Sequence, residues 1–210
     1  MLLSGRGHVF HVASVSPPAF VVLEPGTRTG AVVGGPSSAA IREMAAQADE
    51  VLVEAERVEW VARALPDWTH ETATLYQMGD APRLPRGRAR AVTIEELEGW
   101  AEIPTELRQE LLVEARQGTT IYATFAGDHP ASFCYAGSVT ETLWDVSIDT
   151  LPPYRRHGYA AQCVGYVIQQ MRDSGRQPVW GAYASNVASA SLARKLGFVP
   201  VDTIAVFTRP

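Results

Sequence analysis

Apolar residues along this chain follow two rhythms, and the changes between them mark out the elements. Short apolar or alternating runs at 8–14, 19–24 and 30–35 predict three strands separated by proline and glycine. Ser37 or Ser38 can cap a helix through about Ala48, in which Ile41, Met44, Ala45 and Ala48 share one face. A strand at 50–56, a helix at 57–65 stopped by Pro66 and a strand at 70–78 close this first part.

The stretch "GDAPRLPRGRARA" at 79–91 breaks both rhythms. Its glycines and prolines, with Arg83, Arg86, Arg88 and Arg90 among few apolar residues, read as an exposed linker. The four arginines could instead form an anion patch, although no phosphate loop or aromatic interleaving accompanies them. The division expected is therefore an accessory α/β lobe at 1–78, a linker at 79–91 and a second domain at 92–210.

Beyond the linker the pattern is more regular. A strand and the short helix "IEELEGW" precede a longer helix from Pro104 and Thr105 to Arg116, with Leu107, Leu111, Leu112 and Ala115 apolar and Gly118 just past its end. "TTIYATFAG" and "PASFCYAG" predict a hairpin around Gly127 and Asp128, and "ETLWDVSID" a third strand. Ala160, Ala161, Val164, Val167, Ile168 and Met171 recur at helical spacing. "PVWGAYA" is a strand, Asn186 caps a helix ended by Gly197, and "FVPVDTIAVFT" predicts two closing strands. Three strands joined by short loops imply an antiparallel portion, and strand–helix–strand a parallel pair. The fold expected is a mixed parallel/antiparallel α/β sheet with helices on both faces, not a doubly wound one. No internal repeat is visible.

Charge and cysteine content narrow the function. With 18 basic and 23 acidic side chains the net charge is −5, which argues against a nucleic-acid partner. Cys134 and Cys163 lie in apolar surroundings and have neither zinc nor disulfide-framework spacing, so no metal is expected. The opening residues lack a charged region before an unbroken apolar core, and no run is long enough to span a membrane. A cytoplasmic enzyme without a membrane partner is the expectation.

The candidate chemistry centres on "YRRHGYA", Tyr154 to Ala160, where a helix begins. A helix N-terminus carries unpaired N–H groups and partial positive charge; Gly158 lets backbone approach a ligand, and Arg155, Arg156 and His157 could add charge-assisted hydrogen bonds. On spacing alone a basic surface helix start fits as well. No Walker loop or dinucleotide fingerprint is present here.

The surrounding residues alter that balance. "LWDVSIDT", "PPYRRHGYA", a long helix, "PVWGAY" and "SNVASASLARKLGF" together resemble the acyl-CoA-binding half of the GNAT superfamily of N-acetyltransferases. In that superfamily [RQ]-x-x-G-x-[GA] opens the helix that holds a pyrophosphate, and Arg155, Gly158 and Ala160 match it. Asn186, Leu196, Gly197 and Phe198 match a later N-x(9)-L-G-F pattern. "WDVSIDT" and "VWGAYASNVAS" resemble a branch that includes antibiotic self-resistance acetyltransferases. The resemblance covers about residues 89–210; residues 1–78 carry none of its motifs.

The resemblance implies acetyl-CoA as co-substrate. Backbone of Ile148, Asp149 and Thr150 would pair with pantetheine amides, the turn Arg155, Arg156, His157, Gly158, Tyr159 and Ala160 would take the pyrophosphate, and Asn186 and Ser189 would line the pantetheine arm. Asn186 could equally be only a helix cap. Transfer by direct attack needs a neutral amine and a leaving thiolate. Glu141 and Asp145 fall on one face of the third strand, with Asp149, and either could be the base; pairing with an arginine is the alternative. The tyrosine many members carry seven residues after the asparagine is Ala193 here, so Tyr183 or a water held by Ser189 would have to protonate the thiolate. His157 reads as rim, in a variable position of the motif.

The acceptor expected is a primary amine of a small molecule. A protein N-terminus or lysine, or a non-catalytic acyl-CoA-binding module, are the alternatives, and the closing strands leave a homodimer open.

Overall fold

The computed structural model describes residues 8–13 and 19–210; the opening residues, on which the reading of the N-terminus rests, lie partly outside the described residues. The chain forms β1 (His8–Ala13), β2 (Ala19–Glu24), β3 (Thr29–Val33), α1 (Ser38–Ala45), β4 (Glu50–Glu54), α2 (Val58–Ala64) and β5 (Thr69–Met78). It continues through β6 (Arg90–Ala91), α3 (Ile94–Gly99), α4 (Thr105–Arg116), β7 (Tyr122–Ala126), β8 (His129–Ala136) and β9 (Leu143–Thr150). The last elements are α5 (Tyr159–Met171), β10 (Gln177–Tyr183), α6 (Val187–Leu196) and β11 (Phe198–Thr208). Among the described residues no helix is long and apolar enough to cross a membrane.

Two compact units divide the chain, and the division is not sequential. One holds Met1–Tyr76, Gly181–Ala190 and Pro200–Pro210, the other Gln77–Trp180 and Ser191–Val199. The expected division left 92–210 as one domain; instead its last segments cluster with the N-terminal residues. The physical reason is strand pairing. Residues Ile204–Thr208 of β11 pair antiparallel with β4, and Phe207 stacks on His70 at 4.7 Å between ring centroids. "FVPVDTIAVFT" is one continuous strand, not two.

In the first unit β1–β2 and β2–β3 pair antiparallel and β3–β4 parallel across α1. Ser37 caps α1, accepting the Ala40 N–H at 3.2 Å, while Ile41, Met44 and Ala45 bury the face predicted from spacing. They pack with Val51, Val53, Val61 and Phe207. The Arg209 guanidinium donates to the carbonyls of Ala45, Ala46 and Ala48, satisfying the C-terminal end of α1.

In the second unit β7–β8 and β8–β9 pair antiparallel and β9–β10 parallel across α5. The series strand–strand–strand–helix–strand–helix–strand therefore occurs twice, as β1 to β5 and as β7 to β11, although no repeat is visible in the residues. Helices cover both faces of this sheet. Phe133 and Tyr135 of β8 pack with Leu97, Leu111 and Leu112 of α3 and α4. The alternate residues face α5, where the Cys163 thiol donates to Ser132 O at 3.8 Å. Thr93 and Glu96 form a reciprocal capping box at the start of α3.

Candidate active site

β9 sets the geometry. On one side it pairs with β8 from Val146 to Thr150; on the other its ladder with β10 covers only Leu143, Trp144 and Asp145, against Gln177, Pro178 and Val179. From Val146 onward the edge facing β10 has no ladder partner among the described residues. Main-chain donors and acceptors left this way can be satisfied by an extended ligand acting as an added strand. Ile148, Asp149 and Thr150 lie on this stretch. Thr150 Oγ1 shares a hydrogen bond with Ser132 Oγ at 2.8 Å, which tethers the strand end to β8.

After β9 the buried Leu151 and a single 3₁₀ turn at Pro152–Tyr154 redirect the chain. Arg155 Nε donates to Thr150 O at 3.1 Å, and His157 Nδ1 lies 2.8 Å from Arg155 O. Arg156 has φ +65° and Gly158 φ +87°. Gly158 is the N-cap of α5, which has no side-chain cap; Gln162 N–H to Gly158 O, at 3.1 Å, is its first helical bond. The N–H groups of the first turn thus have no helical acceptor, and the helix dipole adds positive potential. A Cβ built at Gly158 would meet only Gln162 Nε2, at 4.0 Å. Packing does not demand this glycine; its backbone angle does, and the space above it is open to an anion. Arg155, Arg156, His157 and Gly158 are exposed, Tyr159 and Ala160 half-buried. A phosphate-bearing group fits this turn.

Asp145, Ser147 and Asp149 share one face of β9. Register places Phe133 opposite Asp149 and Tyr135 opposite Ser147, so this is the face toward α3 and α4. Burial pushes the Asp145 carboxyl up to about 6, opposed only in part by the Val146 backbone N–H. Asp149 is exposed at its surface yet crowded by protein; desolvation pushes it up to about 6, with Glu110 adding repulsion and Arg155 opposing. Glu141 is exposed and precedes β9, which starts at Leu143 and not at Glu141 as expected. At ~3.3 Å per residue Leu143 is roughly 23 Å from Thr150, and Asp145 roughly 17 Å. Glu141 therefore stands past the closed end of the ladder, while Asp145 stands where the ladder stops.

Sequence reasoning missed one pair on this face. Tyr135, which is buried, donates its hydroxyl to Glu110 Oε1 of α4 at 2.7 Å, and burial raises its phenol. Alternation alone reads Tyr135 as core, and nothing in sequence links it to a residue 25 positions earlier.

Tyr183, Asn186 and Ser189 belong to the first unit. The Tyr183 hydroxyl donates to Glu50 Oε1 at 3.1 Å, and burial followed by Glu50 pushes its phenol up to about 12. Asn186 Oδ1 accepts the Ser189 N–H at 3.0 Å, the geometry of a helix cap. Ala193 is fully buried in α6, so a tyrosine there would have to displace packed neighbours. Cys134 and Cys163 are buried and free. Among the described residues no three His, Cys, Asp or Glu side chains gather as a metal site would need.

Comparison with known proteins accords with this geometry. Residues 117–207 match the family model described as GNAT acetyltransferase. No curated protein matches the sequence. Among solved structures, a GCN5-related N-acetyltransferase-like protein from Streptococcus suis is 14% identical with TM-score 0.64, covering 97% of this chain and 88% of that one. A GCN5-related N-acetyltransferase from Kribbella flavida is 15% identical with TM-score 0.61, covering 99% and 91%. A GNAT-family acetyltransferase from Colwellia psychrerythraea is 13% identical with TM-score 0.60, covering 91% and 81%. At such identities these structures speak for the fold alone, which is that of GNAT proteins; the match to the GNAT acetyltransferase family model covers residues 117–207 of the chain.

Proposed function

We propose that this protein is an acetyl-CoA-dependent N-acetyltransferase that acts on a primary amine of a small molecule. The observation that carries the reading is the continuity of the unpartnered edge of β9 with the Gly158 turn and the uncapped start of α5. Backbone of Ile148 to Thr150 pairs with the pantetheine amides, and the Arg155–Ala160 turn holds the pyrophosphate. An extended pantetheine arm reaching back from that turn covers a distance of the order that separates Thr150 from Asp145. The thioester then lies where the β9–β10 ladder closes.

This assigns the base to Asp145 in preference to Glu141. The amine nitrogen attacks the thioester carbonyl, its proton passes to the Asp145 carboxylate directly or through water, and the carbon–sulfur bond breaks as the thiolate leaves. A carboxyl raised to about 6 is mostly ionised at neutral pH, yet nearer the operating pH than an ordinary aspartate. CoA thiol is of ordinary acidity, so its thiolate can leave without a dedicated acid, consistent with Ala193. That same residue favours a second reading, a non-catalytic acyl-CoA-binding module.

Calorimetric titration with acetyl-CoA, followed by thiol release with a panel of small amines and peptides, tests both. Absence of binding at millimolar acetyl-CoA refutes the site. Binding with thiol release at the background rate for every acceptor selects the module, and a peptide preference selects a protein acceptor.

A further inference from the structure

The arginine-rich segment at 79–91 is the one feature singled out in the sequence that the proposed reaction leaves unused. It is not a free tether. Gly79 N–H donates to Gly197 O at 3.0 Å and Arg83 N–H to Leu196 O at 2.9 Å. The segment then runs along α5 toward the start of that helix, with Pro85 against Gly165 and Gly87 against Gln162.

Both approaches depend on a missing side chain. A Cβ at Gly165 would stand 2.9 Å from Pro85 O, and one at Gly87 would stand 2.5 Å from Gln162 Cβ and 2.8 Å from its Cα. Two glycines, one on the segment and one on the helix, therefore hold the chain against α5. They fix where the neighbouring arginines go. Gln162 is four residues past Gly158, about 6 Å of helix axis. Since the segment runs toward the N-terminus of α5, Arg88 follows Gly87 on the side of the Gly158 turn.

Charge gives the second observation. Arg86 and Arg88 are exposed, and among the described residues neither pairs with a carboxylate. Arg90, by contrast, is bound to Glu96 at 2.7 Å and lies over the Phe125 ring at 4.4 Å. In a chain of net charge −5, Arg86 and Arg88 on this segment and Arg156 on the turn form no ion pair among the described residues, while Arg155 acts on Asp149. Such like charges disfavour one another and the helix dipole unless an anion joins them.

We propose that Arg86 and Arg88 are phosphate-binding residues of the acyl-CoA site, supplied from outside the region that matches the family model. The inference rests on the reading of that site as an acyl-CoA site. The ligand chemistry is a phosphate, carried either as the pyrophosphate or as the 3′-phosphate of the cofactor.

Calorimetric or competition titration of the full chain with acetyl-CoA, acetyl-dephospho-CoA and S-acetylpantetheine, for wild type and for R86Q/R88Q, tests it. These exposed substitutions leave the buried packing intact, and an unchanged thermal midpoint checks that. The expected result is acetyl-CoA affinity 3- to 10-fold weaker in the variant, a shallower salt dependence and unchanged S-acetylpantetheine affinity. A similar loss for acetyl-dephospho-CoA assigns the contact to the pyrophosphate; a loss confined to acetyl-CoA assigns it to the 3′-phosphate. Equal acetyl-CoA affinity of the two proteins from low to physiological salt overturns the proposal, as does an equal loss for S-acetylpantetheine. A wild-type chain that binds none of the three overturns the acyl-CoA reading itself, so the two failures are told apart.

Discussion

Substituting Gly158 by alanine separates backbone conformation from ligand approach, because the structure contains its own control. Gly158 has φ +87° and Gly118, just past α4, has φ +92°; a Cβ at Gly118 would meet nothing within 4 Å, and at Gly158 only Gln162 Nε2 at 4.0 Å. Neither glycine is required by packing. The left-handed conformation costs an L-residue about 1–2 kcal/mol, and alanine recovers about 0.4–1 kcal/mol by restricting the unfolded chain. Both variants should therefore lose stability by about 1 kcal/mol, read as a shift in the urea midpoint at constant slope.

Their ligand affinities should diverge. A methyl group at Gly158 adds bulk at the start of α5, where the proposed reading puts the phosphate. Weakening one or two charge-assisted hydrogen bonds, at about 1.5–3 kcal/mol each, lowers acetyl-CoA affinity by roughly one to two orders of magnitude. Gly118→Ala should bind acetyl-CoA as wild type does. Equal affinities for both variants, with matching stability losses, would refute the assignment of the turn and leave Gly158 a purely conformational residue.

Three further outcomes follow from the geometry. Asp145 has a folded-state value of about 6 against 3.8 for the free side chain, so the native state holds more protons in that interval. Its contribution to stability then falls as pH rises through the interval, by at most about 3 kcal/mol. Asp145→Asn should be more stable than wild type at pH 8 and lose about 100-fold or more in kcat, while wild-type kcat/KM should rise with pH around 6. Retained turnover in the variant would move the base elsewhere. Gly165→Ala gains about 1 kcal/mol in helix propensity but forces Pro85 off α5 at about 1–3 kcal/mol, so urea unfolding should show a net loss near 1 kcal/mol. Tyr135→Phe removes the 2.7 Å bond to Glu110 while keeping the buried ring, and should cost about 1 kcal/mol in the same assay.

What could be read from the residues alone was local. Helical spacing placed α1, α4, α5 and α6, since each buries one stripe against the sheet and that demand is written at intervals of three and four residues. Alternation placed β7, β8 and β9 and the identity of their faces, and the Arg155, Gly158 and Ala160 motif marked the start of α5. Such features depend on neighbours within one or two turns of chain.

Other features required distant segments to meet. Nothing in "FVPVDTIAVFT" says that its second half pairs with β4, residues 50–54, because strand partners are chosen by the competition of whole edges. For the same reason the division into units could not be drawn at the linker. Alternation put Glu141 on the Asp145 face, but only the end of the β9–β10 ladder shows that β9 begins after Glu141 and opens at Asp145. Composition read 79–91 as a solvated linker; that Gly87 and Gly165 clear space for it against α5 is a matter of van der Waals contact between segments 78 residues apart. The sequence determined elements and a motif through short-range periodicity. Tertiary packing alone decided which edges stayed open, which carboxylate was desolvated, and where the arginine-rich segment lies against α5.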